Sequence, residues 1–161
     1  MEDTINKFFK IAGGAVKSFS DGLKTLNDIN PKEVTDILDN ITIKKSQYTT
    51  EKNIEKIIAD ALDIAIGKTH RQYNIGGFLG LKVDIDLGDG QVGIEIKMAK
   101  ELTATNIERL FGQVLYYSKR VYKSNLIVLI VGTEKEQTQI LKEIEDIIES
   151  QGVVFYYLTV K

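Results

Sequence analysis

Residues 83–97 read VDIDLGDGQVGIEIK, two alternating runs on either side of a glycine-rich break. Val83, Ile85 and Leu87 alternate with Asp84 and Asp86, and Ile94, Ile96 and Met98 alternate with Glu95 and Lys97. A period of two sends successive side chains to opposite faces of a strand, so each run predicts a β-strand with one apolar and one charged face. Gly88-Asp89-Gly90 supplies the positive φ values of a tight turn, which predicts an antiparallel hairpin. The apolar set is then free to pack on helices. The charged set brings Asp84 and Asp86 beside Glu95 and Lys97.

Carboxylates on adjacent strands repel one another unless a cation lies between them. Hard divalent ions such as Mg²⁺ take oxygen ligands of this kind, often one or two carboxylates completed by waters and phosphate oxygens. A lysine beside such a site can orient or deprotonate a water, an arrangement suited to phosphodiester hydrolysis. The plain alternative is a solvent-facing hairpin of mixed charge, since short motifs recur by chance.

The chain has 161 residues, 43% hydrophobic and 27% charged, which fits one folded domain with a real core. It has no Cys, which removes disulfides, thiol nucleophiles and thiolate metal sites. A single histidine, His70, excludes a His-rich zinc centre. No apolar run reaches the length of a membrane span and no signal segment opens the chain, so a cytoplasmic setting and no membrane partner are expected. The net charge of -2 argues against a broad basic surface for nucleic acid, though not against a local grip on backbone through a few lysines and a metal.

Working outward from the hairpin, residues 1–30 carry apolar positions at three- and four-residue steps and predict helix, most simply used for packing or for oligomer contact. Asn30-Pro31 is a helix start, followed by a short helix to about residue 41. Residues 42–48 read as a connection, and the domain boundary is drawn there: an extension over 1–45 and a main domain over 46–161. Thr49 and Thr50 precede a stronger helix to about residue 66, stopped by Gly67. Residues 70–87 contain strand pieces broken by Gly76-Gly77 and Gly80. Thr105 and Glu108 fit a capping box for a helix running to about residue 122. Residues 126–131, LIVLIV, predict a strand buried on both faces. A helix over 134–150 and a last strand over 153–160 follow, and strand–helix–strand alternation here predicts parallel neighbours.

The order helix, three strands, helix, strand, with Asp84 on the second strand and Glu95-Ile96-Lys97 on the third, resembles the PD-(D/E)XK nuclease superfamily, in particular its Holliday-junction resolvase and RecB-like branches. Gln113-Val114-Leu115-Tyr116-Tyr117 is similar to the Q-x-x-x-Y pattern of the RecB-like members. The resemblance spans residues 50–132, and Val83 stands where the name-giving proline would be. It implies an α/β fold with a restriction-endonuclease-like αβββαβ core, a mixed central sheet flanked by helices, and an N-terminal helical extension. It also implies a Mg²⁺- or Mn²⁺-dependent nuclease acting on DNA, with RNA also open as substrate. Asp84 and Glu95 would hold the metal, Lys97 would position the attacking water, and Gln113 and Tyr117 would position the backbone. A further acid comes from the first helix of the core in many members. Glu51 and Glu55 are both placed for it, and Glu51 is preferred as the metal ligand. The competing expectation is a nuclease-fold binding module that does not cut, which the acidic balance and the N-terminal helices favour. A homo-oligomer through those helices is expected in either case.

Overall fold

The computed structural model describes residues 29–161. The helix and oligomer contact expected over residues 1–28 lie outside the described residues. Four α-helices and a five-stranded sheet make up the described chain. In order these are α1 (Pro31–Leu38), α2 (Glu51–Ala65), β1 (Thr69–Asn74), β2 (Lys82–Leu87), β3 (Val92–Met98), α3 (Ala104–Tyr117), β4 (Leu126–Gly132), α4 (Gln139–Ser150) and β5 (Val154–Thr159).

The strands lie side by side in sequence order. β1, β2 and β3 pair antiparallel, and β3, β4 and β5 pair parallel, so the sheet is mixed. The hairpin expected at residues 83–97 is present. Its turn uses positive φ at Gly88, Asp89 and Gly90, and Gln91 N–H donates to the Leu87 carbonyl at 3.1 Å. β4 is buried along its whole length, because it sits centrally and is covered from both sides.

Two apolar clusters cover the two faces of the sheet. On one, α1 and α2 bring Val34, Leu38, Ile54, Ile58 and Leu62 against Ile85, Leu87, Ile94, Ile96, Ile127 and Leu129. On the other, α3 and α4 bring Leu110, Val114, Tyr117, Leu141, Ile144 and Ile148 against Val83, Val128 and Ile130. Residues 29–43, grouped in the sequence with the N-terminal extension, contribute Ile29, Ile37, Ile41 and Ile43 to the first of these clusters. They are also tied to the other end of the chain: Lys161 N–H donates to the Ile43 carbonyl, and Lys45 N–H to the Lys161 carbonyl.

The capping residues act largely as their chemistry dictates. Asn30 accepts from Glu33 N–H with Pro31 in the first turn, and Thr50 accepts from Asn53 N–H. The start of α3 corrects the expectation. Thr103, not Thr105, is its cap and accepts from Asn106 N–H, because the Asn106 amide also donates to the Glu101 carbonyl at 2.6 Å and fixes the turn earlier. α3 ends at Tyr117 and passes into a wider turn over Ser118–Tyr122, short of the long helix expected.

One departure in β2 shapes everything that follows. Strict alternation would set Val83, Ile85 and Leu87 on one face, yet Ile85 and Leu87 join the α2 cluster and Val83 joins the α3 cluster. β2 and β3 form rungs at Ile85–Ile94, Asp86–Gly93 and Leu87–Val92, and no rung follows towards Lys82. Beyond Ile85 the two strands fork. Asp84 closes the root of the fork with its own carboxylate, accepting from Ile96 N–H at 2.8 Å.

Close approach makes Gly93 indispensable. A Cβ there would lie 2.6 Å from Cδ2 of Tyr122, whose ring covers that rung. Gly93→Ala is expected to cost about 2 kcal/mol through forced displacement of the ring, measured by denaturant unfolding.

Candidate metal and phosphodiester site

The fork between β2 and β3 opens a cleft of about 380 Å³. Glu51 from α2, Gln72 from β1, Asp84 from β2, Glu95 and Lys97 from β3, and Arg109 and Gln113 from α3 line it, together with Lys82, Met98, Glu101 and Asn106. Five separate elements therefore converge on one space. Glu51 reaches it from the first turn of α2, where the helix dipole favours a carboxylate.

At its centre stands the Lys97 ammonium. Nζ lies 2.8 Å from Glu95 Oε1, 3.3 Å from Glu51 Oε1 and 3.9 Å from Asp84 Oδ2. It also donates to the Ile96 carbonyl at 2.8 Å. Three carboxylates thus share one ammonium, which leaves two negative charges uncompensated when all are ionised. Glu95 is fully buried. Burial, and then the Asp84 charge beside it, push its carboxyl up to about 8 against the pull of Lys97. Burial likewise raises Asp84 and Glu51, each offset in part by Lys97. For Lys97, burial opposes the charge, but Glu95 and Asp84 outweigh it and hold the ammonium above its ordinary range.

The donor set fits a hard divalent cation. Its ligand atoms are carboxylate oxygens, and Glu95 Oε2 is buried without a hydrogen-bond partner. Gln113 Oε1 is a second buried oxygen with none. Lys97 now takes the position of shared cation, and the oxygens of Glu51, Asp84 and Glu95 do not all lie within 4.8 Å of one another.

Between the two candidate acids of α2 the geometry discriminates. Glu51 lines the cleft. Glu55 is buried one turn further on, with Oε1 accepting from Arg71 Nε at 2.7 Å and Oε2 from Gln72 Nε2 at 2.6 Å. Gln72 Nε2 also donates to Asp84 Oδ1 at 3.1 Å, so this amide links Glu55 to the cleft. Its backbone has φ +50°, unusual for a residue with a side chain, opposite the point where β2 loses its alternation.

Asp86 is corrected. Expected on the same charged face as Asp84, it is instead fully buried away from the cleft. Its oxygens accept from the Tyr122 hydroxyl at 2.6 Å and from Gly90 N–H at 3.1 Å. Tyr117 is also not a cleft residue. Its ring is buried in the α3 cluster, and its hydroxyl donates to the Lys82 carbonyl at 2.8 Å while Gln113 Nε2 approaches it at 3.4 Å. It holds Gln113 and the base of β2. Lys100, three residues beyond Lys97, turns to the carbonyls of Tyr48 and Thr49 and lies over the Tyr48 ring.

Sequence reading did not single out Gln72, Lys82, Glu101, Asn106 or Arg109. Asn106, Arg109 and Gln113 recur at helical spacing, a polar stripe that periodicity alone could have found. Gln72 gave no such signal, because its role rests on a backbone distortion.

Comparisons with family models, curated proteins and solved structures return no match to the chain.

Two outcomes follow from this electrostatics. Glu95 binds a proton more tightly folded than unfolded, so its contribution to stability is complete below about pH 4.5 and is lost as pH rises to about 8. In EDTA, the melting temperature should fall across that window, and Glu95→Gln should flatten the fall. Tyr122→Phe leaves a buried Asp86 oxygen without its donor and is expected to cost about 2 kcal/mol by urea titration, with the cleft chemistry intact.

Proposed function

We propose that this chain is a Mg²⁺- or Mn²⁺-dependent nuclease of the PD-(D/E)XK type, with the restriction-endonuclease-like arrangement of α2, β1–β3, α3 and β4 as its core. The observation that carries the reading is the meeting of Glu51, Asp84, Glu95 and Lys97 in one cleft at the β2–β3 fork, with an unpartnered buried oxygen on Glu95. The element order and the mixed sheet are compatible with it.

Asp84 and Glu95 would hold the ion, with Glu51 completing the set. When bound, the ion would supply Lewis-acid polarisation of a phosphoryl oxygen and a lowered pKa for the attacking water. The chain's own residues do the rest. Lys97, released from the carboxylates that hold it, donates to the attacking water or to a non-bridging phosphate oxygen and stabilises charge developing there. Arg109 and Gln113 face the same cleft from α3 and are suited to fix a phosphodiester by charge-assisted and neutral hydrogen bonds. Hydrolysis forms a P–O bond from the water oxygen and breaks one P–O bond of the backbone; the water loses a proton and the departing oxygen gains one.

Purified protein with Mn²⁺ is expected to cut DNA. Asp84→Asn and Lys97→Met should each lower the rate by about 10²-fold or more, while Glu95→Gln should weaken Mn²⁺ uptake in a calorimetric titration. Lys97→Met should retain metal uptake, since it removes no ligand. Cleavage surviving in all three variants would overturn the assignment. Metal uptake by a protein that binds but does not cut polynucleotide would favour the binding-module reading instead.

A further inference from the structure

The loop joining β1 to β2 carries the most exposed large apolar side chains among the described residues. Phe78 is 112% exposed and Leu79 71% exposed, side by side. A fully solvated phenylalanine gives up its whole transfer free energy in the free protein. Single exposed apolar residues are ordinary on protein surfaces, but an adjacent pair at the tip of a hairpin is a presented feature.

The loop is held in a defined shape. Ile75 and Gly76 N–H both donate to the Leu81 carbonyl, and Leu79 and Gly80 N–H to the carbonyls of Gly76 and Gly77. Gly77 and Gly80 take φ +53° and +64°, conformations that let so short a turn close. The tip therefore points Phe78 and Leu79 outward on a short, hydrogen-bonded support.

Its root is the cleft. Asn74 and Lys82 are the rung from which the loop springs, and Lys82 and, two residues before Asn74, Gln72 both line the cleft. The Lys82 carbonyl is anchored to α3 by the Tyr117 hydroxyl. Phe78 is four residue steps from Lys82, a reach of at most about 14 Å. Phe78 is thus within a few nucleotides' length of a phosphate seated in the cleft.

We propose that Phe78, supported by Leu79, stacks on an unpaired base of the strand seated in the cleft, so that the preferred substrate is single-stranded or locally unpaired nucleic acid. The inference rests on the nuclease reading and names its substrate class. An aromatic face beside a cleft that offers Lys82, Lys97 and Arg109 to a phosphate is suited to a single strand, because every base offers a π-face while paired bases keep theirs within the duplex. Neither face of Phe78 is covered by the described residues, so a base meets no competitor there.

The test compares the full chain with its Phe78→Ala and Leu79→Ala variants, by fluorescence anisotropy on a labelled single strand and on the matching blunt duplex, in Ca²⁺. The wild-type chain should prefer the single strand, and Phe78→Ala should lose about tenfold of that preference with an unchanged melting temperature. A single strand bearing 5-iodouracil should cross-link to Phe78 on irradiation. Wild-type cleavage of DNA with an undiminished single-strand preference in Phe78→Ala, or cross-links mapping elsewhere, would overturn this inference alone. A shift of the variant from dimer to monomer in sedimentation would also overturn it, assigning the tip to a second copy of the chain. Failure of the wild-type protein to bind or cut either form of DNA would remove the nuclease reading together with it.

Discussion

Three carboxylates in a half-closed space need a cation, and Lys97 supplies it. Its ammonium touches Glu95, reaches Glu51 and stands at the edge of Asp84. Without that charge, burial of Glu95 in particular would be costly, since a buried carboxylate with no partner is driven to protonate. The balance is incomplete. One ammonium does not neutralise three acids, Glu95 retains an unpartnered oxygen, and its carboxyl sits far above its ordinary range. A site left in that condition has a use for a second positive charge, and hard oxygens favour one of a particular kind.

The fork in the sheet makes this arrangement possible. Were β2 and β3 to pair along their full length, Asp84 would be an ordinary outward residue and Ile96 N–H would enter a ladder bond. Instead the Asp84 carboxylate takes that N–H, β2 turns over at Val83, and Gln72, where β1 and β2 skip a rung, adopts an unusual backbone and spans Glu55 and Asp84. The strands then part around a cleft that α2 enters from one side and α3 from the other. Behind it, Arg71 neutralises Glu55, and Tyr122 with Gly90 satisfies Asp86. Two acids near the cleft are thereby committed to structure, while Glu51, Asp84 and Glu95 stay around Lys97 and Glu101 lines the cleft beside them.

Much of this was legible in the residues. Period-two alternation and the Gly-Asp-Gly turn gave the hairpin, the uniform LIVLIV run gave the central strand, and Asn30 and the Thr49-Thr50 pair marked the helix starts because such side chains satisfy free N–H groups. Glu95 and Lys97 could be placed on one face by counting. Asp86 could not be separated from Asp84 in the same way. Periodicity treats both as outward, and the Tyr122 hydroxyl, 36 residues away, together with the Gly90 N–H holds Asp86 away from the site. The break at Val83 was likewise invisible, since it follows from a side chain replacing a backbone ladder bond. Glu51 and Glu55 differ by one helical turn, and the choice between them depends on where Arg71 and Gln72 reach. The element order carried the family resemblance, but the contacts that divide these acids between structure and cleft are long-range.

The most direct measurement is the anomalous diffraction of a crystal soaked in Mn²⁺. A metal centre at the β2–β3 fork requires a peak between Asp84 and Glu95, with the Lys97 ammonium moved off the Glu95 carboxylate. His70, Asp86 and Asp89 form the one His/Asp/Glu group among the described residues whose ligand atoms lie within 4.8 Å of one another. A peak there with none at Glu95, or no peak at saturating Mn²⁺, would contradict it.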